Sequence, residues 1–221
     1  STGCGKSTLV NLIPRFYDVT DGKITIDGKD IRNVSQHELR EKLGYVPQKA
    51  VLFSGDIASN ILYGNPEGSE AEMTEAATIA QATEFIEQKK KKYKSTISQG
   101  GSNVSGGQKQ RLSIARAIAK HPDVYIFDDS FSALDYKTDA TLRAKLKEKT
   151  SESTVMIVAQ RISTILHADQ IIVLDDGQIV GKGTHKELLK TCEAYYQIAS
   201  SQLSEKELEE DLKEVESYAK R

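Results

Sequence analysis

The sequence predicts an α/β fold with a largely parallel sheet, because short apolar runs typical of buried strands alternate with stretches of helical periodicity. Between about residues 56 and 120 the pattern changes to helices, and no strand is expected there. We therefore divide the chain into an α/β core of residues 1–47 and 121–200, an inserted helical subdomain of residues 48–120, and a C-terminal helix of residues 201–221.

Length and composition restrict the class of protein. The chain has 221 residues, with 30 basic and 32 acidic side chains and a net charge of −2, so its charge gives no reason to expect a nucleic-acid partner. The apolar fraction of 38% contains no run long enough to cross a bilayer. Two cysteines, Cys4 and Cys192, fit a reducing compartment better than a disulfide framework.

The first residues match a phosphate-binding loop of the Walker A type that lacks its first glycine. In such loops successive backbone N–H groups point into one concavity and meet phosphate oxygens. Lys6 is expected to reach the β- and γ-phosphates, and the Ser7 hydroxyl is expected to ligate Mg²⁺. The candidate phosphate-binding residues are Ser1, Thr2, Gly3, Cys4, Gly5, Lys6, Ser7 and Thr8.

A helix is predicted directly after this loop, with Leu9, Val10, Leu12 and Ile13 as its buried stripe and its positive end towards the phosphates. The alternative is a chance glycine-rich turn before a helix. Because the strand that normally leads into such a loop is missing, we expect the chain to be a fragment of a longer polypeptide.

Several strands are predicted along the core. Residues 23–26 alternate in polarity and meet the turn pair Asp27-Gly28, as in a hairpin. Residues 124–127, 154–159 and 170–174 are short, β-branched runs, as expected for buried, central parallel strands.

The last segment is predicted to be helical. Ser204 and Glu207 form the pattern of a capping box, and Leu208, Leu212 and Val215 follow at helical spacing. We expect a charged terminal helix that packs on the core or on a partner.

The run of residues 124–127 ends in a carboxylate, Asp128. In a parallel sheet the carboxyl end of a strand opens on the ligand crevice. Asp128 is therefore predicted to hold the Mg²⁺ that bridges the β- and γ-phosphates. Such strands are common, so this prediction depends on the phosphate loop in the same chain.

A second anion site is predicted where Ser105, Gly106 and Gly107 precede a long helical run. The exposed N–H groups of a helix start and a side-chain hydroxyl favour an anion. The alternative is a simple serine N-cap followed by two flexible glycines.

Taken in order, these motifs resemble the nucleotide-binding domain of ABC transporters, in particular the exporter branch. The segment Val104-Ser105-Gly106-Gly107-Gln108 resembles the signature LSGGQ, with valine in place of leucine. Gln48 matches the Q-loop glutamine, and the segment from Ser132 to Asp135 matches the D-loop. Residues 53–60 are similar to the exporter stretch that follows the Q-loop.

The resemblance implies a P-loop NTPase (RecA-like) core with an inserted α-helical subdomain. It implies ATP and Mg²⁺ as cofactors, with Gln48 added to the ATP-binding residues and Ser7, Gln48 and Asp128 around the metal. It also implies that two such domains pack head to tail, so that the signature residues Ser105, Gly106, Gly107 and Gln108 act on the partner's ATP. A transmembrane domain of the same parent chain would place this domain at the cytoplasmic face of the cell membrane.

Departures from the family pattern concern hydrolysis. Asp129 stands where the family has the glutamate that acts as general base, and Gln160 stands where it has the switch histidine. Aspartate is shorter by a methylene, and glutamine cannot carry the charge of a protonated histidine. A further departure is Gln99-Gly100-Gly101, where exporters often carry Glu-Arg-Gly.

These departures are similar to those of the degenerate-site subunit in heterodimeric bacterial multidrug-type exporters. We expect an ABC-type ATPase whose own site hydrolyses slowly and whose signature completes the competent site of a second, non-identical ABC subunit. Two alternatives remain: a regulatory ATP-binding subunit with little hydrolysis, and a soluble non-transport ABC ATPase. The exporter-like stretch from Gln48 to Asn60 and the missing N-terminal part argue against the latter.

Overall fold

The computed structural model describes residues 3–209 and 211 of the chain. The chain forms two compact units. The first unit joins Ser1–Leu9 to Ala159–Arg221, and the second unit is Val10–Val158.

Helices and strands alternate along the chain in the order expected for an α/β protein. The helices are α1 (Lys6–Asn11), α2 (Gln36–Glu41), α3 (Ile57–Ile61), α4 (Glu70–Ile79), α5 (Thr83–Glu87), α6 (Gly106–Ala119), α7 (Tyr136–Lys149), α8 (Ile162–Ile165), α9 (His185–Thr191) and α10 (Glu193–Ser200). The strands are β1 (Thr25–Ile26), β2 (Lys29–Asp30), β3 (Leu43–Val46), β4 (Gly55–Asp56), β5 (Thr96–Ile97), β6 (Val124–Asp128), β7 (Thr154–Val158), β8 (Ile171–Asp175) and β9 (Gln178–Gly183). Short 3₁₀ segments lie at Ile31–Asn33, Leu62–Gly64, Lys92–Lys94 and Gln99–Gly101.

The second unit is built on a parallel sheet with the strand order β3-β6-β7. Strand β6 is buried along its whole length because both faces are covered. Tyr125 and Phe127 belong to the larger apolar cluster of this unit, and Val124 and Ile126 belong to a smaller one on the other face. The parallel sheet that the sequence predicts is thereby confirmed.

Strand β7 is less buried than the sequence predicts. Thr154 and Val155 are exposed, and the remaining residues of the strand are half-buried. In the described sheet β7 pairs with β6 and lies at the edge, so one side of the strand lacks a neighbour. The prediction of a fully buried central strand was wrong for this reason.

The hairpin predicted from residues 23–26 and the turn pair Asp27-Gly28 is confirmed. Strands β1 and β2 pair antiparallel, with Ile26 opposite Lys29. The turn residues Asp27 and Gly28 have φ angles of 50° and 76°. Positive φ at both central residues is the geometry of a type I′ turn, which Asp-Gly favours.

Among the described residues, strand β8 lies in a two-stranded sheet with β9 and not in a parallel sheet, contrary to the prediction for residues 170–174. It pairs antiparallel with β9. The joining residues Asp176 and Gly177 have φ angles of 45° and 74°, so the same kind of tight turn brings the chain straight back. A tight turn permits only antiparallel pairing, because a parallel neighbour needs a long crossover connection.

The helical region also contains two short strands that the sequence did not predict. Strands β4 and β5 form a short antiparallel pair, with Gly55 opposite Ile97 and Asp56 opposite Thr96. Two residues are too few for an alternating pattern to show in the sequence. The other regular elements between residues 56 and 120 are α-helices and 3₁₀ segments, as expected.

The helix after the phosphate loop is shorter and less buried than predicted. Val10 is buried, but Leu9 is 43% exposed, and Leu12 and Ile13 follow the end of α1. A helix of six residues turns less than twice, so it presents only one position fully to the core.

The first unit has its own apolar core, formed by side chains of β8, α8, α9 and α10. The capping box predicted at Ser204 and Glu207 is present, with the Glu207 amide donating to Ser204 Oγ at 3.3 Å. Leu208 joins this core. Leu212 and Val215 lie outside the described residues. Within residues 3–209 and 211, no helix has the length and apolar character needed to cross a membrane.

Candidate functional site

The phosphate loop of the first unit has the backbone that its glycines permit. Gly3 and Gly5 have φ angles of 89° and 93°, in the region that side-chain-bearing residues avoid. A Cβ at either position would meet no described atom within 4 Å. The backbone conformation therefore requires glycine at both positions. Open space remains beside them for a ligand. Ser1 and Thr2 lie outside the described residues.

The side chains that follow are arranged around the start of α1. The Lys6 ammonium donates to the sulfur of the buried Cys4 at 3.3 Å. Ser7 is half-buried and Thr8 is exposed. The first turn of α1 contains no acidic residue, so a lysine charge and a positive helix end act together here. These residues suit phosphate oxygens and a hard cation beside them.

In the second unit, the ends of two neighbouring strands meet at one edge of the parallel sheet. Val46 at the end of β3 lies opposite Phe127 of β6. Gln48 follows shortly after β3, and Asp129 follows directly after β6. The Gln48 side-chain amide donates to Asp129 Oδ2 at 3.0 Å. The fold thus brings together two of the residues that the sequence analysis singled out.

The turn at Asp129 is held by its backbone as well. Asp129 has a φ angle of 48° and is 8% exposed. Its N–H donates to the Val158 carbonyl at 3.0 Å, and its own carbonyl accepts from Ser132 Oγ at 2.9 Å. Ser132 of the predicted D-loop therefore helps to fix the position of the Asp129 side chain.

Asp128 is 4% exposed and lies near a tyrosine that the sequence analysis did not identify. The Tyr45 hydroxyl donates to Asn11 Oδ1 at 2.7 Å and lies 3.5 Å from Asp128 Oδ2. Burial, and then the nearby Asp128 charge, raises the pKa of Tyr45 to about 12. Tyr45 therefore stays neutral beside the carboxylate. Its place on β3 opposite Ile126 results from strand pairing, for which a single sequence carries no signal.

The predicted signature forms the start of α6. Ser105 is the N-cap, with the Gln108 amide N–H donating to Ser105 Oγ at 3.2 Å and the Ser105 N–H donating to Gln108 Oε1 at 3.2 Å. A Cβ on Gly107 would lie 3.4 Å from the Ala133 carbonyl oxygen, so the signature and the D-loop are neighbours within this unit. The serine N-cap proposed as the alternative is present, and a capped helix start still exposes N–H groups that suit an anion.

The D-loop ends at Asp135, which caps α7. Asp135 Oδ2 accepts from the Thr138 hydroxyl at 2.7 Å, and Oδ1 accepts from the Thr138 N–H at 2.9 Å. These bonds, led by the hydroxyl, lower the pKa of Asp135. The carboxylate is charged and oriented by α7.

Gln160, the predicted switch residue, lies in the first unit just before α8 and is exposed. Its backbone carbonyl accepts a hydrogen bond from the side chain of Gln202 at 2.9 Å. Gln202 is 42 residues further along the chain, so no local sequence signal points to this contact.

Comparisons with known proteins identify the family of this chain. The family model for ABC transporters matches residues 1–132, which is more than half of the chain. An uncharacterized ABC transporter ATP-binding protein of Mycobacterium bovis is 48% identical over 205 residues, covering 91% of this chain and 35% of the relative. A putative multidrug export ATP-binding/permease protein of Staphylococcus aureus is 45% identical over 201 residues, with the same shares of the two chains.

A solved structure is similar as well. A bacterial Atm1-family ABC exporter with ATP bound matches with a TM-score of 0.89 and 40% identity, covering 93% of this chain and 36% of that chain. The chain thus spans about a third of the length of the relatives it matches. It has the mixed α/β fold of the ABC ATPases, with their P-loop NTPase core, and it belongs to the ABC transporter family.

Proposed function

We propose that this chain is the ATP-binding, energy-coupling domain of an ABC exporter. The observation that carries the proposal is the combination of an open phosphate loop at Gly3 and Gly5 with a capped signature helix at Ser105 in one chain of this family. In this proposal, MgATP draws two such domains together head to tail, and closure drives attached membrane helices. The exporter names of the S. aureus relative and of the solved structure support it.

The residues take the roles that the motifs suggest. Ser1 to Thr8 and Gln48 bind ATP, and Ser7, Gln48 and Asp128 hold Mg²⁺. A magnesium ion held by these residues would supply positive charge that offsets the charge of the phosphates. Asp128 is a buried carboxylate at the end of a strand, and carboxylate oxygens suit Mg²⁺. The Gln48 amide nitrogen donates to Asp129, so the Gln48 carbonyl oxygen is the atom of that side chain suited to a metal.

The domain boundaries follow from the same proposal. Residues 1–47 and 121–200 form the ATP-binding core, residues 48–120 form the helical subdomain with the signature, and residues 201–221 form a C-terminal helix.

We further infer that hydrolysis at the chain's own Walker site is impaired. Asp129 is one methylene shorter than glutamate, and its Oδ2 already accepts a bond from Gln48. A misplaced general base forfeits much of a contribution of roughly 10²–10⁴-fold. The Gln160 side-chain amide can donate a hydrogen bond, but it carries no charge. The same observations also favour a second candidate, a regulatory subunit that retains ATP with little turnover.

The signature has no such departures in its Ser-Gly-Gly-Gln core, and its cap is intact. It would therefore complete a competent site on a partner that carries the usual glutamate and histidine. The partner in this proposal is a second, non-identical ABC subunit.

The transmembrane domain of the parent chain is the other proposed partner. In the helical subdomain, the rings of Phe53 and Tyr63 stack at 4.4 Å and are 42% and 60% exposed. The Arg116 guanidinium lies 5.0 Å from the Phe53 ring, and Val51 beside it is also exposed. An exposed aromatic surface of this kind marks an interaction site. The chain covers 35% of the relative named an ATP-binding/permease protein. We therefore assign this surface to contact with a membrane part of the parent chain, at the cytoplasmic face of the membrane.

The test is the ATPase rate of the natural polypeptide that contains this chain, measured without and with its partner subunit. Without the partner we expect slow turnover, and Asp129→Glu combined with Gln160→His should raise the rate. Asp129→Asn combined with Gln160→His is the matched control and should not. Robust turnover of the unmodified protein alone would rule out the impaired site and leave the ATP-binding domain in place.

A further inference from the structure

In the first unit, the side-chain amide of Gln202 forms hydrogen bonds with the backbone on both sides of Arg161. We call residues 160–162 the switch segment, after the predicted switch residue Gln160, and this pair of bonds the clip. Gln202 Oε1 accepts from the Ile162 N–H at 2.8 Å, and Gln202 Nε2 donates to the Gln160 carbonyl oxygen at 2.9 Å. Both bonds go to the backbone, so they fix the path of the chain through the switch segment. The position of the Gln160 side chain depends on this backbone path.

The chemistry of the clip requires an amide. The Ile162 N–H only donates and the Gln160 carbonyl only accepts, so the bridging group must offer one acceptor and one donor a fixed distance apart. A carboxylate lacks the donor and an aliphatic side chain lacks both. The two backbone partners also define which end of the Gln202 amide carries the oxygen.

The segment that carries Gln202 is itself anchored. The N–H groups of Gln202 and Leu203 donate to the Ala199 carbonyl at the end of α10, at 3.0 and 2.8 Å. Further along, Leu208 packs in the apolar core of the unit. The buried His185 is joined to Asp211, with Nε2 and Oδ2 3.1 Å apart. The clip is therefore attached to a packed element and not to a loose end.

We propose that Gln202 is a positioning residue for the switch segment, which sets where the Gln160 side chain stands relative to the γ-phosphate of bound ATP. This inference rests on the proposed role of Gln160. The segment after α10 therefore also holds the switch segment in a fixed position relative to the apolar core of the first unit. The residue acts through Gln160 and touches no nucleotide itself.

The first test measures backbone hydrogen exchange in the switch segment of the natural polypeptide that contains this chain. Gln202→Leu should speed exchange at the Ile162 amide by about fivefold, the factor that corresponds to one net hydrogen bond. Gln197→Leu is the matched control, because Gln197 lies on α10 and bonds to Glu193 instead. Equal exchange in the two variants would overturn the clip, whatever the ATPase activity of the protein.

The second test separates positioning from mere stabilisation. In an Asp129→Glu background with measurable turnover, Gln202→Leu should lower kcat about tenfold, while KM for ATP changes little, because small misplacements are expensive in such sites. In an Asp129→Glu, Gln160→Ala background, the same substitution should have no further effect, since the side chain through which it acts is gone. A loss of equal size in both backgrounds would show a general structural role and overturn the inference. If Asp129→Glu gives no turnover, the role of Asp129 in impairing hydrolysis fails, and the exchange measurement still decides on the clip.

Discussion

The Gln48 amide donates to the Asp129 carboxylate at 3.0 Å, across the ends of two neighbouring parallel strands. This bond joins the segment after β3 to the turn after β6. Any change in the length or charge of residue 129 therefore also changes what holds Gln48.

Lengthening residue 129 is the most direct test of this arrangement. With Asp129→Glu, the carboxylate extends by one methylene towards the site of the attacking water, and we expect the ATPase rate to rise, on the order of 10²-fold. The rate is measured in the natural polypeptide that contains the chain, without its partner, because the competent site of the assembled pair would mask the change. Asp129→Gln has the same length without a basic oxygen, so an equal rise in that variant would contradict the role of a general base.

Tyr45→Phe removes the hydroxyl that donates to Asn11 at 2.7 Å. The loss of this bond should lower the free energy of unfolding by about 1 kcal/mol, as judged from thermal melting. Tyr63→Phe is the control, because the Tyr63 ring lies at the surface. Equal destabilisation by the two variants would contradict a stabilising contribution of the hydrogen bond between Tyr45 and Asn11.

The Asp135 carboxylate should make the stability of the folded chain depend on pH. Its pKa is lowered in the folded chain, chiefly by the Thr138 hydroxyl, so the stabilisation is fully present above the ordinary value of about 3.9. It is lost as the pH falls through the lowered pKa. The melting temperatures of the wild type and Thr138→Val should therefore differ at neutral pH and converge in acid.

Thr141→Val provides the control for that experiment. The Thr141 hydroxyl donates to the Lys137 carbonyl in the same helix, a group that does not titrate. Its effect should be independent of pH. A Thr138→Val difference that stays constant down to about pH 3 would contradict the assignment to Asp135.

Replacing Asn60 should cause a large loss of stability in the predicted helical subdomain. This buried side chain accepts from the Phe53 N–H and donates to the carbonyls of Phe53 and Asp56, each at 2.9 Å. Asn60→Leu leaves several of these groups unpaired, at about 1–3 kcal/mol each, and should lower the free energy of unfolding in urea by about 3 kcal/mol or more. Asn65→Leu removes a single bond, to Ala119, and should have a clearly smaller effect. Similar losses in both variants would count against the network.

Features that depend on neighbours in the chain were predictable. The Asp27-Gly28 turn and the Ser204 capping box were both confirmed, because they form among residues a few positions apart. The order of the motifs also predicted the family, which the comparisons confirm. The roles of the individual site residues stay predictions.

Features that depend on distant partners were not predictable. The sequence suggested that residues 170–174 form a central parallel strand, whereas the tight turn at Gly177 pairs β8 with β9. The bond from Tyr45 to Asn11 spans 34 residues, and the bond from Gln202 to Gln160 spans 42. Such contacts leave no periodic signal in a single sequence.

The sequence by itself determined the α/β class, and it predicted the phosphate loop from Gly3 to Thr8, the signature at Ser105 and the departures at Asp129 and Gln160. Local chemistry is sufficient for these, since glycine conformation, helix caps and residue identity need no distant partner. Tertiary structure alone decided that Gln48 holds Asp129 and that Gln202 holds the switch segment. Strand pairing and helix packing bring those groups within hydrogen-bond distance, and only a folded chain has them.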